Sequence, residues 1–217
     1  MKIKNKFWLT ACFLALSLSV KADDRLLKHR NHVHFMLFGG FNTSHLITDF
    51  DNSEIIISEA KRYYNLGAAF RFEFARFFYL QPEVYLTRKG GLEKIFRTTP
   101  SDSFDQRVDI QSIDMPIMLG LRFFHSNSFV LRAYGGPVVS FLQDPQVKIY
   151  KNGQIIPWND IKTSTHVFSM QVGAGVDITR RFTFDVRYEY AFSPLLSISD
   201  FRTSHKILYF SFGLKLF

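Results

Sequence analysis

The chain has 217 residues and a formal charge of +8, with 25 Phe, 9 Tyr and a single cysteine. Despite this aromatic load its mean hydropathy is −0.02, the average expected when apolar and polar positions alternate and cancel within any averaging window. No basic run of the kind nucleic-acid binders carry is present, so nucleic acid is excluded as a partner.

In chain order, the first feature is "MKIKNKFWLTACFLALSLSVKA", residues 1–22. Three lysines (Lys2, Lys4 and Lys6) precede an apolar stretch from Phe7 to Val20, and a small residue, Ala22, precedes two aspartates. This is the three-part pattern of a secretory signal, with cleavage expected after Ala22. The apolar stretch is shorter than the ~20 residues a spanning helix needs. "LTAC" (Leu9 to Cys12) resembles a lipoprotein box only faintly, because cleavage there would strand an apolar segment on the mature chain, so lipidation is not expected. Removing residues 1–22 takes away four of the 27 basic residues and none of the 19 acids, which lowers the charge to +4, and it takes away Cys12, so no disulfide can form. Residues 23–31 read as a short periplasmic segment, and 32–217 as one domain.

Period-two segments then recur at 32–42, 62–74, 77–89, 109–123, 129–141, 165–178, 181–192 and 205–217. Each is long enough to cross a hydrocarbon layer as a tilted strand, which takes about 9–11 residues. The connections alternate. Short ones ("AR" at 75–76, His125 to Ser128, "TR" at 179–180) interleave with long ones at 43–61, 90–108, 142–164 and 193–204. A soluble barrel has no reason to sort its loops by end, whereas an outer-membrane barrel does. Phe74, Phe77, Phe78, Phe123, Phe124, Phe129 and Phe182 all flank the short turns, the arrangement of an interfacial girdle. The expected fold is therefore all-β, an eight-stranded antiparallel up-and-down transmembrane barrel with short periplasmic turns and long extracellular loops. Within 142–164, Asn152-Gly153 between short apolar runs predicts a two-residue hairpin turn.

The alternate positions assigned inward carry Arg71, Glu73, Glu83, Asp114, Arg122, Arg132, Asp177, Asp185, Arg187, Glu189 and Lys215. An eight-stranded barrel is just wide enough for side chains to fill, so these charges must pair. Their mixed signs predict a structural salt-bridge network, since a selectivity filter would favour one sign. Pro82, Pro116 and Pro137 fall inside predicted strands, where each removes a ladder hydrogen bond.

"LQPEVYLTRKGG" (80–91), "IDMPIMLGLRF" (113–123), "LRAYGGPVV" (131–139) and "VGAGVDITRRFTFDVRYEYAFSPL" (172–195) resemble the outer-membrane β-barrel family of Bacteroidota, the porin-family or PorT-like proteins. All three strand prolines stand where that family's phrases carry proline. The resemblance implies location in the cell outer membrane, contact with outer-membrane lipid and lipopolysaccharide, and assembly by the barrel-assembly machinery. For the PorT subgroup it also implies a place in the type IX secretion apparatus among other envelope or secretion proteins. Phe217 stands one step out of the lipid-facing phase held by Phe210, Phe212, Leu214 and Leu216.

No enzyme chemistry is expected. A lipid A-modifying barrel would need a His–Ser pair at the outer level, so that imidazole could activate the hydroxyl. His125 and Ser128 fall at an inner turn, while Ser164/His166 and Ser204/His205 read as polar strand ends. His29, His32 and His34 read as solvated, and no metal or cofactor is expected. Lys61-Arg62, Arg88-Lys89, Arg107 and Lys206 flank the outer strand ends, where near-neutral charge argues against a dedicated anionic-ligand surface and leaves local contacts with lipid phosphate.

Overall fold

A computed structural model describes residues 32–50, 55–74, 77–96, 103–126, 128–151, 154–156, 162–179, 181–198 and 201–216. Residues 1–31, with the expected signal and periplasmic segment, lie outside them, as does Phe217. The strands are β1 (His32–Phe50), β2 (Ile55–Glu59), β3 (Lys61–Glu73), β4 (Phe78–Phe96), β5 (Ser103–His125), β6 (Phe129–Lys151), β7 (Gln154–Ile156), β8 (Lys162–Thr163), β9 (His166–Ile178), β10 (Phe182–Ala191), β11 (Leu196–Ile198) and β12 (Phe201–Lys215). Every pairing is antiparallel. The order runs β1-β3-β4-β5-β6-β9-β10-β12, and β12 pairs back onto β1 from Met36↔Lys215 to Phe50↔Phe201, closing an eight-stranded barrel. Closure gives each of these eight strands a partner on both sides through the lipid zone, as a strand in lipid requires.

Alternation sets the two faces. On β10, Phe182, Phe184, Tyr188 and Tyr190 point outward and are exposed, while Thr183, Asp185, Arg187 and Glu189 are buried inside. Beside the short turns the expected phenylalanines are exposed on the outer face, and pairs of them stack: Phe74 with Phe78, and Phe124 with Phe129.

The outer ends of the strands extend further than their sequence bounds. β1 continues to Phe50, and β4, β5 and β6 pair as ribbons up to Phe96↔Ser103 and Phe104↔Lys151. β7 folds back on β6 with Lys151 opposite Gln154, so two residues separate them, as the expected hairpin requires. Asn152 and Gly153 themselves are outside the described residues. Most of the expected long connections are therefore strand. Their alternation escapes a search for outward apolar faces because its polarity inverts. Inside the barrel, polar Ser44, Ser112, Ser140, Ser169 and Glu189 give way two residues further out to Leu46, Ile110, Leu142, Val167 and Ala191. Outside, Arg107 and Asp109 now face water. Where lipid ends, the apolar side chains change faces. That inversion marks the outer boundary of the membrane zone.

Four inward aromatic rings lie over glycines on adjacent strands: Tyr79 over Gly120, Tyr85 over Gly67, Tyr134 over Gly173 and Phe38 over Gly213. A Cβ on Gly120 would fall 2.0 Å from the Tyr79 ring. Gly120→Ala is expected to lower stability by about 1–3 kcal/mol through overpacking, measured by reversible unfolding in lipid vesicles. An unchanged stability would mean that the ring is free to move aside.

Candidate functional site

The interior is stacked in levels, read outward from the short turns. At the inner mouth Arg122 lies 2.6 Å from Glu73, and His34 lies 3.6 Å from the same carboxylate. Next, Asp177 is surrounded by Arg71 at 2.8 Å, Arg132 at 2.9 Å and Lys215 at 2.7 Å. In the middle, Asp185 accepts hydrogen bonds from Arg132 (3.0 Å) and the Tyr134 hydroxyl (2.7 Å). Arg187 donates to Glu83, which also accepts from the Gln81 amide, and Gln81 accepts from Arg71 Nε at 2.6 Å. The rings seated on glycines serve these cations. The Arg187 guanidinium lies 5.2–5.5 Å from the rings of Phe38, Tyr85 and Tyr134, and that of Arg71 lies 4.8 Å from Tyr79. Cation–π contact is strongest where the cation is desolvated, as these buried guanidiniums are.

The next polar level outward centres on Glu189. It accepts from Lys89 (2.8 Å), Ser169 (2.9 Å), Tyr209 (2.9 Å) and Gln171 (3.4 Å), and lies 3.2 Å from His205 Nε2. Lys89 also reaches Asp114 (3.0 Å) and the Ser140 hydroxyl (2.8 Å). Above this level the apolar cluster of Leu46, Val108, Ile110, Val167, Ala191 and Leu195 covers the polar interior.

All eleven charged residues that alternation assigned inward therefore stand in these levels, with Arg122 and Lys215 partly exposed at the inner mouth. Two further residues join them against expectation. Lys89, expected at the outer rim, is fully buried, as is His205, expected as part of a polar strand end. Strand parity carries both assignments. Lys89 is in phase with Glu83, and His205 with Lys215. With Lys89 included, six cations (Arg71, Lys89, Arg122, Arg132, Arg187, Lys215) face six carboxylates (Glu73, Glu83, Asp114, Asp177, Asp185, Glu189) within these levels, and a further buried carboxylate, Glu93, lies beyond them on β4. In a low-dielectric interior such balance is required, because each unpaired ion costs several kcal/mol, about the cost of losing the fold.

Between the middle and outer levels lies a cavity lined by Tyr85, Asp114, Pro116, Val138, Gln171, Arg187, Tyr209 and Ser211, with room for about one water molecule. Asp114 Oδ1, Gln171 Oε1 and Arg187 Nη2 have no hydrogen-bond partner, so a water there would find polar neighbours.

Neither outer His–Ser pair is assembled. Ser164 donates to the Pro194 carbonyl at 2.8 Å, while His166 sits outside with its ring edge on Phe141. Ser204 and His205 point to opposite faces. At the inner turn, His125 is exposed beside Phe77. Among the described residues no group of His, Cys, Asp and Glu is arranged to hold a metal ion, and His29 lies outside those residues.

Comparison with solved structures finds barrels of the same architecture. The chain is similar to the outer membrane protein OprG of Pseudomonas aeruginosa (14% identity, 86% of this chain and 97% of that one, TM-score 0.52). It is also similar to Neisserial surface protein A (12%, 84% and 97%, TM-score 0.47) and to Escherichia coli outer membrane protein W (12%, 87% and 100%, TM-score 0.45). At such identities the likeness speaks for the fold alone. No curated protein matches the sequence. The family described as "Outer membrane protein beta-barrel domain" matches residues 22–197, most of the chain. The closed circuit of strands, the apolar outer face and this match agree on an integral protein of the cell outer membrane, and the chain belongs to the outer membrane protein beta-barrel domain family.

Proposed function

We propose that this protein is a closed, non-conducting barrel with a structural or interaction role rather than a pore or an enzyme. The observation that carries this reading is the series of ion-paired levels across the lumen, topped by an apolar cluster. A conducting pore needs a continuous wet path and, for selectivity, an excess of one sign. Here both signs are matched, and the cavity between levels has room for about one water. Planar-bilayer recordings of the refolded protein are expected to show no stable conductance steps. Large, reproducible, ion-selective steps would overturn the plugged reading and restore that of a porin.

In this reading the partners are outer-membrane lipid and lipopolysaccharide around the barrel, the barrel-assembly machinery during insertion, and other envelope proteins at the outer rim. The processed chain begins at Asp23, after cleavage behind Ala22. A second reading, a PorT-like component of the type IX secretion machinery, draws on the strand phrases at 80–91, 113–123, 131–139 and 172–195 and their prolines. Affinity capture from detergent-solubilised outer membranes separates the two. Co-purification of secretion-complex subunits in fixed ratio favours the second reading, and their absence favours the first.

A further inference from the structure

One stretch of the barrel wall is not zipped. The β3–β4 ladder ends at Leu66↔Leu86. Beyond it β3 stays paired to β1 as far as Ser44↔Lys61, and β4 stays paired to β5, yet Lys61–Asn65 and Thr87–Gly91 have no pairing with each other, until β2 takes up β4 again at Glu59↔Leu92 and bounds the opening from above. The opening is built rather than slack. β4 turns toward side chains of β1 instead: Asn42 Nδ2 donates to Thr87 Oγ1 (2.6 Å) and to the Arg88 carbonyl (3.4 Å), and Gly90 N–H donates to Ser44 Oγ (3.2 Å). Gly90 holds φ at +152°, and a Cβ there would meet the Val108 carbonyl at 2.1 Å, so only glycine fits the bend.

Into this cleft projects Tyr63, 7% exposed, whose hydroxyl has no hydrogen-bond partner and lies against Gly90. A buried, unsatisfied hydroxyl signals a missing partner. Its electrostatic neighbours are Asp109, Arg107 and Arg88. Lys61 lies over the Tyr63 ring and neutralises Asp109 at 2.8 Å. Arg62, Arg88 and Arg107 are exposed and have no ion-pair partner among the described residues. Directly below them, on the lipid face, Tyr64 beside the gap is 88% exposed, next to the apolar Leu66 and Leu86 pair.

The height fits a lipid headgroup. Arg88 stands ten residues along β4 from Phe78 of the inner girdle. At about 3.3 Å per residue and a tilt of about 40°, that is a rise of about 25 Å, the thickness of the apolar band. It also coincides with the inversion of polarity inside the barrel.

We propose that the cleft between β3 and β4 seats the phosphate of a phosphorylated glycolipid of the outer leaflet. Arg88 and Arg107 grip the phosphate, Arg62 flanks it, the Tyr63 hydroxyl donates to it once the arginine side chains reorient, and the acyl chains lie along Tyr64, Leu66 and Leu86. Arginine suits this task because its planar fork matches phosphate oxygens two at a time. This rests on the reading above, which places lipopolysaccharide around the barrel, and adds the site that holds it; its test does not depend on whether the lumen conducts.

The test is native mass spectrometry of the full chain, refolded in detergent and titrated with bisphosphorylated lipid A, dephosphorylated lipid A or inorganic phosphate. The expected result is one retained bisphosphorylated lipid per barrel, with weaker retention of the dephosphorylated form and none of free phosphate. Arg88→Gln with Arg107→Gln is expected to weaken retention at least about tenfold, from the loss of charge-assisted hydrogen bonds. Tyr63→Phe removes only an oxygen that bonds nothing in the free protein, so it should weaken retention without changing the unfolding midpoint. Arg181→Gln, exposed at an inner turn at the far end of the barrel, should leave retention unchanged. Heat-modifiable migration in gels verifies that each variant is folded. Equal retention by folded wild type and the double arginine variant, or of lipid with and without phosphate, overturns the proposal. Retention of inorganic phosphate as strong as that of the lipid overturns the lipid assignment in favour of a free-anion site.

Discussion

Replacing Lys89 by methionine is expected to destabilise the folded barrel by about 3–5 kcal/mol, the cost of removing one partner from a buried ion pair. Methionine keeps most of the length and volume but not the charge. Asp114 and Glu189, which Lys89 holds at 3.0 and 2.8 Å, would then share one buried level without their common cation. Serine, tyrosine and glutamine donors remain around Glu189, but neutral donors offset only part of a buried charge. The measurement is reversible denaturant unfolding from lipid vesicles at neutral pH. Adding Asp114→Asn and Glu189→Gln to Lys89→Met should recover much of the loss, because a level with no charges has none to strand. A cost of only a few tenths of a kcal/mol for Lys89→Met, as for an exposed site, would place Lys89 outside the lumen after all.

That residue also shows where sequence reasoning stopped. Strand parity is a strict rule, and from it the lipid and lumen faces of β3, β5, β6, β9, β10 and β12 follow residue by residue. Lys89 obeys the rule, but it lies at the end of its predicted strand, next to Arg88 and two glycines. A basic pair there reads as rim, although its two members point to opposite faces. His205 was obscured in the same way, at the first residue of a predicted strand that in fact begins at Phe201. Both errors have one cause. Hydropathy follows lipid, and above the lipid the pattern inverts, so strand that continues into water looks like loop. Partner choice lies still further from the sequence. Parity places Arg187 in the lumen among Asp185 and Glu189 of its own strand, yet its closest carboxylate is Glu83, 104 residues away across the barrel. Closure brings them together, and no local pattern encodes the distance across a lumen. The unzipped stretch between β3 and β4 is likewise invisible until Asn42, Ser44 and Gly90 are seen to hold it open.

The face assignment has its own decisive pair of variants, because Val186 and Arg187 are neighbours in sequence. Val186 points outward, opposite Phe210 on β12 and Ala174 on β9. An arginine on the lipid face near mid-membrane costs roughly 2–4 kcal/mol. Val186→Arg should therefore destabilise the barrel by about that amount. Arginine stays charged at every accessible pH, so this deficit should be nearly the same at neutral and acidic pH. Arg187→Val places no charge in lipid. It removes the cation that donates to Glu83 and leaves that carboxylate with the Gln81 amide, while Asp185 keeps Arg132 and Tyr134. The expected cost at neutral pH is about 3–5 kcal/mol, again that of a broken buried pair. The remedy differs between the two variants. Adding Glu83→Gln to Arg187→Val should recover much of the loss, because that pair then has no charge left to strand. Adding Glu83→Gln to Val186→Arg should recover nothing, because the cost there is an arginine in lipid. Unfolding both pairs from vesicles reads out the difference. If instead Glu83→Gln rescued Val186→Arg and not Arg187→Val, the aromatic face of β10 would point into the barrel and its charges toward lipid.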